Sequence, residues 1–346
     1  MRKNAIVKIL AMLVLTVMVI STVAAGGAEE SAAAEKIKVA IITDVAGFGD
    51  QAYNDAGYAG LMRAAEDFEI EVKAVESPSM AEYETTLDAV AQLGFELIFA
   101  LSSSISDAVR VVAPRYSDTM FVIIDGNVGD VDNVLSIGYR EQESAFLAGA
   151  LAAKMSRTKK IGFVLGMKIP VLERFEVGYV AGANYADLSV ETYTVYTGKF
   201  NDPGLGKESA ITLFGQGLDI VAAAAGACNL GVFDAAIEKG AGYWAMGAAA
   251  GQSHLAPEDI MADQVKRLDN SIYYLVQEYI EEGSIPSGLE IFGLKEGGVG
   301  LLYGNNAAGI PDDVFAYIDE ISEEIIAGNI AVPTNYEELE AFKSTL

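Results

Sequence analysis

Side chains that could hold a small ligand follow the predicted strands of this chain. Asp44 comes directly after the first strand, and Tyr53 and Asn54 stand at the start of the next helix. Asp125 follows the fourth strand, and Gly226 opens the turn after a strand in the second half of the chain. Because ligands in open α/β sheets bind beyond the carboxyl ends of the strands, we expect these positions to meet at a binding cleft.

The carboxylates among these residues could also support a reaction. Asp44, Asp50 and Asp125 would suit a site that holds a metal ion or activates water, as in a hydrolase. However, the sequence has no Gly-x-Ser-x-Gly, no His-Glu-x-x-His and no metal-spaced Cys/His cluster. The lone His254 has no Cys or Ser elbow near it, and Cys228 lies in an Ala/Gly-rich stretch typical of a packing residue. These absences argue against an enzyme, so we predict no cofactor and no metal and keep a hydrolase only as an alternative.

The elements that position these residues are short β-branched runs alternating with longer helical stretches, which is typical of α/β units with parallel strands. Strands are predicted at 38–42, 72–75, 97–100, 121–124, 160–165, 190–195, 220–222, 243–246 and 289–292, and the first series of strands and helices ends near 133–137. Helices are predicted at 54–68, 83–93, 105–113, 141–155, 171–185, 206–216, 231–239, 268–282 and 311–327.

Two successive series of such elements predict an α/β protein of two Rossmann-like lobes rather than one very large sheet. We assign 37–138 and 268–300 to the N-terminal lobe, and 139–267 and 301–346 to the C-terminal lobe. No Pro/Ser-rich linker separates the two series, so short hinge crossings should join the lobes.

The N-terminus has the pattern of a secretory signal peptide, with cations around a charge-free apolar run and small residues at 23–25 for cleavage. We predict a signal peptide at 1–25 and a polar linker at 26–36, and hence a periplasmic or other extracytoplasmic protein. The apolar run of about 17 residues is at the short edge for a spanning helix, so an uncleaved anchor that keeps the protein membrane-associated is the alternative. The run lacks the following Cys of a lipoprotein signal, since the sole cysteine is Cys228.

The net charge of −26 restricts the kinds of partner that this protein can bind. Such a field repels nucleic acid and anionic membrane surfaces, so we predict no nucleic-acid partner. A neutral or cationic small ligand is compatible with it, although the charge could equally serve solubility alone. With one cysteine there is no internal disulfide, and the core alone must stabilise the exported chain.

Several motifs occur in a fixed order along the chain. They are Thr43-Asp44-Val45 through Asp50-Gln51-Ala52-Tyr53-Asn54, Phe121-Val122-Ile123-Ile124-Asp125, Ala145-Phe146-Leu147-Ala148-Gly149, Ile161-Gly162-Phe163-Val164-Leu165-Gly166 with Arg174-Phe175, Tyr196-Thr197-Gly198-Lys199-Phe200-Asn201-Asp202-Pro203, and Val265-Lys266-Arg267-Leu268-Asp269. The set resembles the basic membrane protein family of substrate-binding proteins, which includes purine nucleoside receptors that feed bacterial ABC importers.

The resemblance implies the type I periplasmic binding protein fold, a purine nucleoside as ligand and ABC permease subunits as partners, with a monomer as the default state. The two matching aromatic positions, Tyr53 and Phe175, would clasp a planar base. Asp125 and Lys266 would bind the ribose hydroxyls. Asp44 and Asn54 match the family's polar groups that face the edge of the base.

Five of these six assignments have a structural alternative. Asp44 and Asn54 could instead cap the first helix, because Asp and Asn satisfy free N–H groups at helix starts. Tyr53 and Phe175 could be ordinary core aromatics. Lys266, next to Arg267 and Asp269 in sequence, could form a surface ion pair.

One loop departs from the family pattern. Where relatives usually carry Asp-Ser-Asp-Gln after the strand at 243–246, this chain has Ala249-Ala250-Gly251-Gln252, and Tyr53 replaces the usual Phe. A site that lacks a partner for a buried ligand N–H or O–H discriminates against that ligand. A sugar or autoinducer-like ligand, a sensor as the membrane partner and a nucleoside hydrolase are therefore kept as alternatives.

Overall fold

The computed structural model describes residues 36–346 and contains two six-stranded sheets with helices packed against them. The predicted signal peptide and the predicted linker up to residue 35 lie outside the described residues. Within 36–346, no helix is both long enough and apolar enough to cross a bilayer. The two sheets confirm the predicted α/β fold of two Rossmann-like lobes.

The N-terminal lobe is built on a fully parallel sheet with the strand order β11-β5-β4-β3-β1-β2. Its strands are β1 Ile37–Ile42, β2 Ile70–Val75, β3 Leu97–Leu101, β4 Met120–Ile124, β5 Val134–Tyr139 and β11 Gly288–Phe292. Its helices are α1 Tyr53–Asp67, α2 Tyr83–Gln92, α3 Ser106–Val112 and α8 Leu268–Glu282. The central strand β3 is buried along its whole length, because helices cover both faces of a parallel sheet.

The C-terminal lobe has the strand order β12-β10-β9-β8-β6-β7, and only β12 is antiparallel to its neighbour. Its strands are β6 Lys160–Leu165, β7 Glu191–Tyr196, β8 Ile220–Ala224, β9 Trp244–Ala249, β10 Ile260–Lys266 and β12 Val299–Tyr303. Its helices are α4 Glu141–Met155, α5 Pro170–Ala186, α6 Pro203–Gly215, α7 Cys228–Lys239, α9 Asp312–Ile326 and α10 Tyr336–Lys343.

Close packing of α4 against α5 fixes the helix that carries Phe175. A Cβ atom added at Gly149 would lie 2.0 Å from the carbonyl oxygen of Tyr179, and one added at Gly182 would lie 1.9 Å from that of Phe146. Only glycine allows the two backbones to approach this closely. The pair therefore forms a rigid wall of the C-terminal lobe.

Three short crossings join the lobes. The chain leaves β5 at Arg140, leaves β10 at Arg267, and passes from β11 to β12 through 293–298. The crossings are hydrogen-bonded to one another: the Arg140 N–H donates to Phe292 O at 2.9 Å and the Arg267 N–H to Gly298 O at 2.8 Å. The strand bounds place Tyr139 in the first sheet and Val299 in the second.

The predicted and observed elements differ mainly in the C-terminal lobe. The helices at 141–155 and 268–282 have the predicted bounds, whereas β10, β12 and α10 were not predicted. Helix α6 begins at Pro203 rather than at 206, because the Asp202 side chain caps it and proline fits the first turn. Helix α7 begins at Cys228 rather than at 231.

Candidate functional site

A cavity lies where the carboxyl ends of strands from both sheets meet. It contains about 660 Å³ of space, part of which is open solvent at the mouth of the cavity. All seven residues singled out from the sequence line it: Asp44, Tyr53, Asn54, Asp125, Phe175, Gly226 and Lys266. Their contact with a ligand stays a prediction, but the fold brings all of them together.

A buried ion pair crosses the cavity from one lobe to the other. Lys266, the last residue of β10, donates from Nζ to both carboxylate oxygens of Asp125, at 2.8 and 2.7 Å. The side chains are 2% and 6% exposed, respectively. The surface ion pair at this point of the chain is instead Arg267 with Asp269, so the surface interpretation of Lys266 is wrong.

The two predicted aromatic residues converge on the Lys266 ammonium. Its Nζ lies 5.7 Å from the ring centroid of Tyr53 and 5.7 Å from that of Phe175, within cation–π range. Tyr53 comes from the N-terminal lobe and Phe175 from the C-terminal lobe. Phe175 also packs edge-on against Phe163, with the centroids 6.5 Å apart, so it belongs to the core and to the cavity wall.

Tyr53 is an uncharged phenol at this site. Burial raises its pKa well above the ordinary value, and the carboxylates of Asp125 and Asp44 raise that pKa further. Its hydroxyl donates to the Ile124 carbonyl oxygen at 3.3 Å, next to Asp125 in the chain. The ring is therefore tied to the same strand end that presents the ion pair.

Asp44 and Asn54 form a second polar group on the wall of the N-terminal lobe. Asn54 Nδ2 donates to Asp44 Oδ1 at 3.0 Å, and the Ala46 N–H donates to the same oxygen at 3.0 Å. Burial raises the pKa of Asp44, although these hydrogen bonds oppose the shift. Asn54 Oδ1 is buried and has no hydrogen-bond partner within residues 36–346. This free acceptor is suited to a ligand N–H or O–H.

Asp50 is the residue that satisfies the start of α1. Its carboxylate accepts from the N–H groups of Ala52, Asn54 and Asp55 at 2.9 to 3.1 Å. The expected capping role thus falls on Asp50, and the side chains of Asp44 and Asn54 do not cap the helix. The spacing in sequence between these residues and α1 could not show which of them caps the helix.

The wall of the C-terminal lobe is mostly apolar. It is lined by Ile169, Val171, Leu172, Phe175, Phe200, Ala224, Ala225, Gly226, Ala248 and Ala249. Gly226 has a φ of 58°, and a Cβ there would lie 2.9 Å from Phe200 O, so glycine allows Phe200 to approach. Sequence reasoning missed Phe200 as a lining residue, although it lies within one of the recognised motifs. Ala249, in the loop that departs from the family pattern, lines the cavity.

A second charged pair stands behind Lys266. Glu141, fully buried at the start of α4, accepts from Arg174 Nε at 2.7 Å, and its other oxygen lies 4.0 Å from Lys266 Nζ. Burial raises the pKa of Glu141, while the Lys266 and Arg174 cations lower it. Glu141 carried no signal in the sequence, because a carboxylate in the first turn of a helix is ordinary.

None of these carboxylates forms a metal centre. Within residues 36–346, no group of three or more His, Cys, Asp or Glu side chains is placed to hold a metal ion.

Two α/β lobes with a cavity between them are the fold of a type I periplasmic binding protein. Over residues 37–336 the chain matches the family described as "ABC transporter substrate-binding protein PnrA-like", and it belongs to this family. Such proteins work outside the cytoplasm, and membership implies a small-molecule ligand and transporter permease subunits as partners. The family and the solved neighbours are solute-binding proteins and not enzymes, which confirms the prediction that this protein is not an enzyme.

Comparisons with individual proteins agree with this family. Basic membrane protein A of Borreliella afzelii is 34% identical over 309 residues, which cover 88% of this chain and 94% of the relative. Basic membrane protein B of Borreliella burgdorferi is 31% identical over 336 residues, covering 94% and 95%. The solved ABC transporter solute-binding protein from Aeropyrum pernix K1 is 31% identical, with a TM-score of 0.81, 89% of this chain covered and 98% of that one.

Proposed function

We propose that this protein binds a purine nucleoside between its lobes and delivers it to an ABC permease. The observation that supports this most is that Tyr53 and Phe175, from opposite lobes, line one cavity with the Asp125–Lys266 pair. A nucleoside joins a flat base to a sugar with adjacent hydroxyls, and this cavity offers aromatic faces next to paired charges. Offset stacking adds about 0.5–1.5 kcal/mol per ring beyond the buried area.

The ion pair suits sugar hydroxyls because it offers both an acceptor and a donor. A hydroxyl can donate its hydrogen to Asp125 and accept from Lys266 Nζ. The pair is already neutral overall and held by contacts of 2.7 to 2.8 Å, so a neutral ligand adds no charge to a buried site. Such charge-assisted hydrogen bonds are about twice as strong as neutral ones.

Asp44 and Asn54 suit the polar edge of a base. Asp44 presents a buried carboxylate, and the free Asn54 Oδ1 is a second acceptor on the same wall. Two adjacent acceptors match the ring N–H and amino groups of a purine. A ligand without such a donor would leave Asn54 Oδ1 buried and unpaired, at a cost of about 1–3 kcal/mol.

A thermal-shift panel tests the proposed ligand. Protein expressed from Glu29 onward is refolded to remove carried-over ligand and then mixed with guanosine, inosine, adenosine, pyrimidine nucleosides, free bases, ribose or autoinducer-like sugars. A ligand that binds only the native state raises the melting temperature with concentration. We expect shifts with purine nucleosides alone.

Other outcomes of the panel, and two separate assays for base release and for partner capture, distinguish the alternatives. A shift with a sugar and none with any nucleoside would contradict the nucleoside proposal and keep the transport class. Release of free base from guanosine would instead support hydrolysis. Capture of a permease or of a sensor kinase by tagged protein would identify the membrane partner.

A further inference from the structure

We propose that Gln252 is a closure residue, which stabilises the closed arrangement of the lobes through the backbone of the opposite lobe. Gln252 lies in the C-terminal lobe just after β9, and its side chain is fully buried. Its Nε2 donates to the carbonyl oxygen of Gln51 in the N-terminal lobe, at 2.8 Å. The contact joins the lobes without any ligand atom, so the proposal does not depend on which ligand binds.

The orientation of the Gln252 amide is fixed by one main-chain donor and one side-chain donor. Its Oε1 accepts from the Ala248 N–H at 3.1 Å and from Asn229 Nδ2 at 3.0 Å. The Asn229 amide is oriented in turn, because its Oδ1 accepts from the Ala225 N–H at 2.8 Å. Nε2 of Gln252 must therefore face the other lobe. The hydrogen bond is preorganised on the side of the donor.

The acceptor is held as firmly as the donor. Gln51 is in the left-handed region with a φ of 49°, and its N–H donates to Asp55 Oδ2 at 2.9 Å. The Gly49 N–H donates to the other oxygen of the same carboxylate at 2.8 Å. This turn directs the Gln51 carbonyl towards Gln252.

The Gln252–Gln51 contact lies farther from the hinge crossings than the Asp125–Lys266 pair does. Gln51 lies in the segment between β1 and α1. In the order of the strands, β1 is two strands farther than β4 from β5, the strand that leads into a crossing. In the other lobe, Gln252 follows β9, which is one strand farther than β10 from the crossing at Arg267. Rotation about the crossings therefore separates the Gln252 contact more than the ion pair.

The closure contact shares residues with the cavity. Asn229, Ala225 and Ala248, which orient Gln252, all line the cavity, and Gln51 is two residues from Tyr53. A ligand that holds these wall residues in place also holds the Gln252–Gln51 hydrogen bond in place. Ligand contacts and the Gln252 hydrogen bond thus favour the same closed state, and a ligand acts only through its differential affinity for that state.

The test measures the distance between the lobes. Spin labels are placed at two exposed helix positions, through Asp107→Cys in the N-terminal lobe and Glu208→Cys in the C-terminal lobe, in a Cys228→Ala background. Gln252→Glu keeps the shape and the two acceptor contacts but replaces the donor with an oxygen. We expect the ratio of closed to open protein to fall about tenfold, seen as longer label distances without added ligand.

Two further variants separate closure from simple damage. Gln252→Met removes the donor without adding charge and should also lengthen the distances. Gln51→Asn keeps the carbonyl acceptor and a residue type that tolerates the left-handed region, so its distances should match the parent's. Distances in Gln252→Glu and Gln252→Met that coincide with the parent's would overturn the proposal, as would a lengthening in Gln51→Asn equal to theirs.

Guanosine titration provides a separate reading. We expect guanosine to bind Gln252→Glu about tenfold more weakly than the parent, since closure contributes to affinity. A parent that does not bind guanosine at all contradicts the nucleoside proposal, while the label distances still decide the role of Gln252.

Discussion

Replacing Asp125 by alanine should leave the buried Lys266 ammonium without its closest partner. Lys266 Nζ donates to both carboxylate oxygens, at 2.8 and 2.7 Å, and the two side chains are 2% and 6% exposed. Removing one partner of a buried ion pair costs about 3–5 kcal/mol of stability. Glu141 Oε2 lies 4.0 Å from the same ammonium and offers a second partner. We therefore expect a loss near the lower end, about 3 kcal/mol.

A double variant separates stability from binding. Asp125→Ala combined with Lys266→Met removes both charges, and replacing both partners by apolar groups is close to neutral for stability. Glu141 stays paired with Arg174 in this variant. Most of the lost stability should return. Guanosine binding should be at least about tenfold weaker in both the single and the double variant, because neither retains the Asp125 acceptor.

Urea unfolding and calorimetric titration with guanosine measure the two effects. Asp107→Ala is the control. It breaks the ion pair of Asp107 with Arg110, whose side chains are 94% and 47% exposed, and an exposed pair contributes little to stability. A double variant as unstable as the single would refute the charge argument. Unchanged guanosine affinity in Asp125→Ala would refute the placement of the sugar.

Three further predictions concern the cavity wall, helix packing and a buried acid. Phe175→Leu should weaken guanosine binding about three- to tenfold through lost stacking, seen by calorimetry, whereas Phe163→Leu, which does not line the cavity, should lower stability and leave affinity unchanged. Gly60→Ala should destabilise the N-terminal lobe by about 1–3 kcal/mol in urea, because the new Cβ would lie 2.3 Å from the Asp269 carbonyl oxygen of α8; a neutral result would contradict the observed approach of the helices. Burial raises the pKa of Asp263 to about 6, so its ionisation destabilises the native state, and this cost grows as the pH rises from about 4 to 6. Asp263→Asn should therefore gain stability relative to the parent as the pH rises through that window, measured by urea unfolding at each pH, and a constant difference would show that Asp263 does not titrate there.

The sequence predicted the fold well because its strand signals are local. A strand covered on both faces needs an unbroken apolar run, and β3 and β4 carry such runs. β10 lacked this signal, since Asp263, Gln264 and Lys266 interrupt its run although all three are buried. Antiparallel β12 is short and contains a glycine, so its pairing with β10 came only from the structure.

The site residues were predictable as positions rather than as contacts. A residue just after a parallel strand must lie at the carboxyl edge of the sheet, whatever its partners, which is why Asp44, Asp125 and Gly226 all reach the cavity. Tyr53, Phe175 and Lys266 were expected there from the family resemblance. The resemblance also marked the loop at 249–252 as altered, and the structure places Ala249 on the cavity wall.

Local sequence thus determined the alternation of strands and helices, the two-lobe class and the edge at which a ligand can bind. It left open which carboxylate caps α1, which cation pairs with Asp125, and which side chains cross from lobe to lobe. Those contacts join residues far apart in the chain, 141 positions for Lys266 with Asp125 and 201 for Gln252 with Gln51. Only the tertiary structure decided them, because burial of a polar group selects its partner by distance in space and not by spacing in sequence.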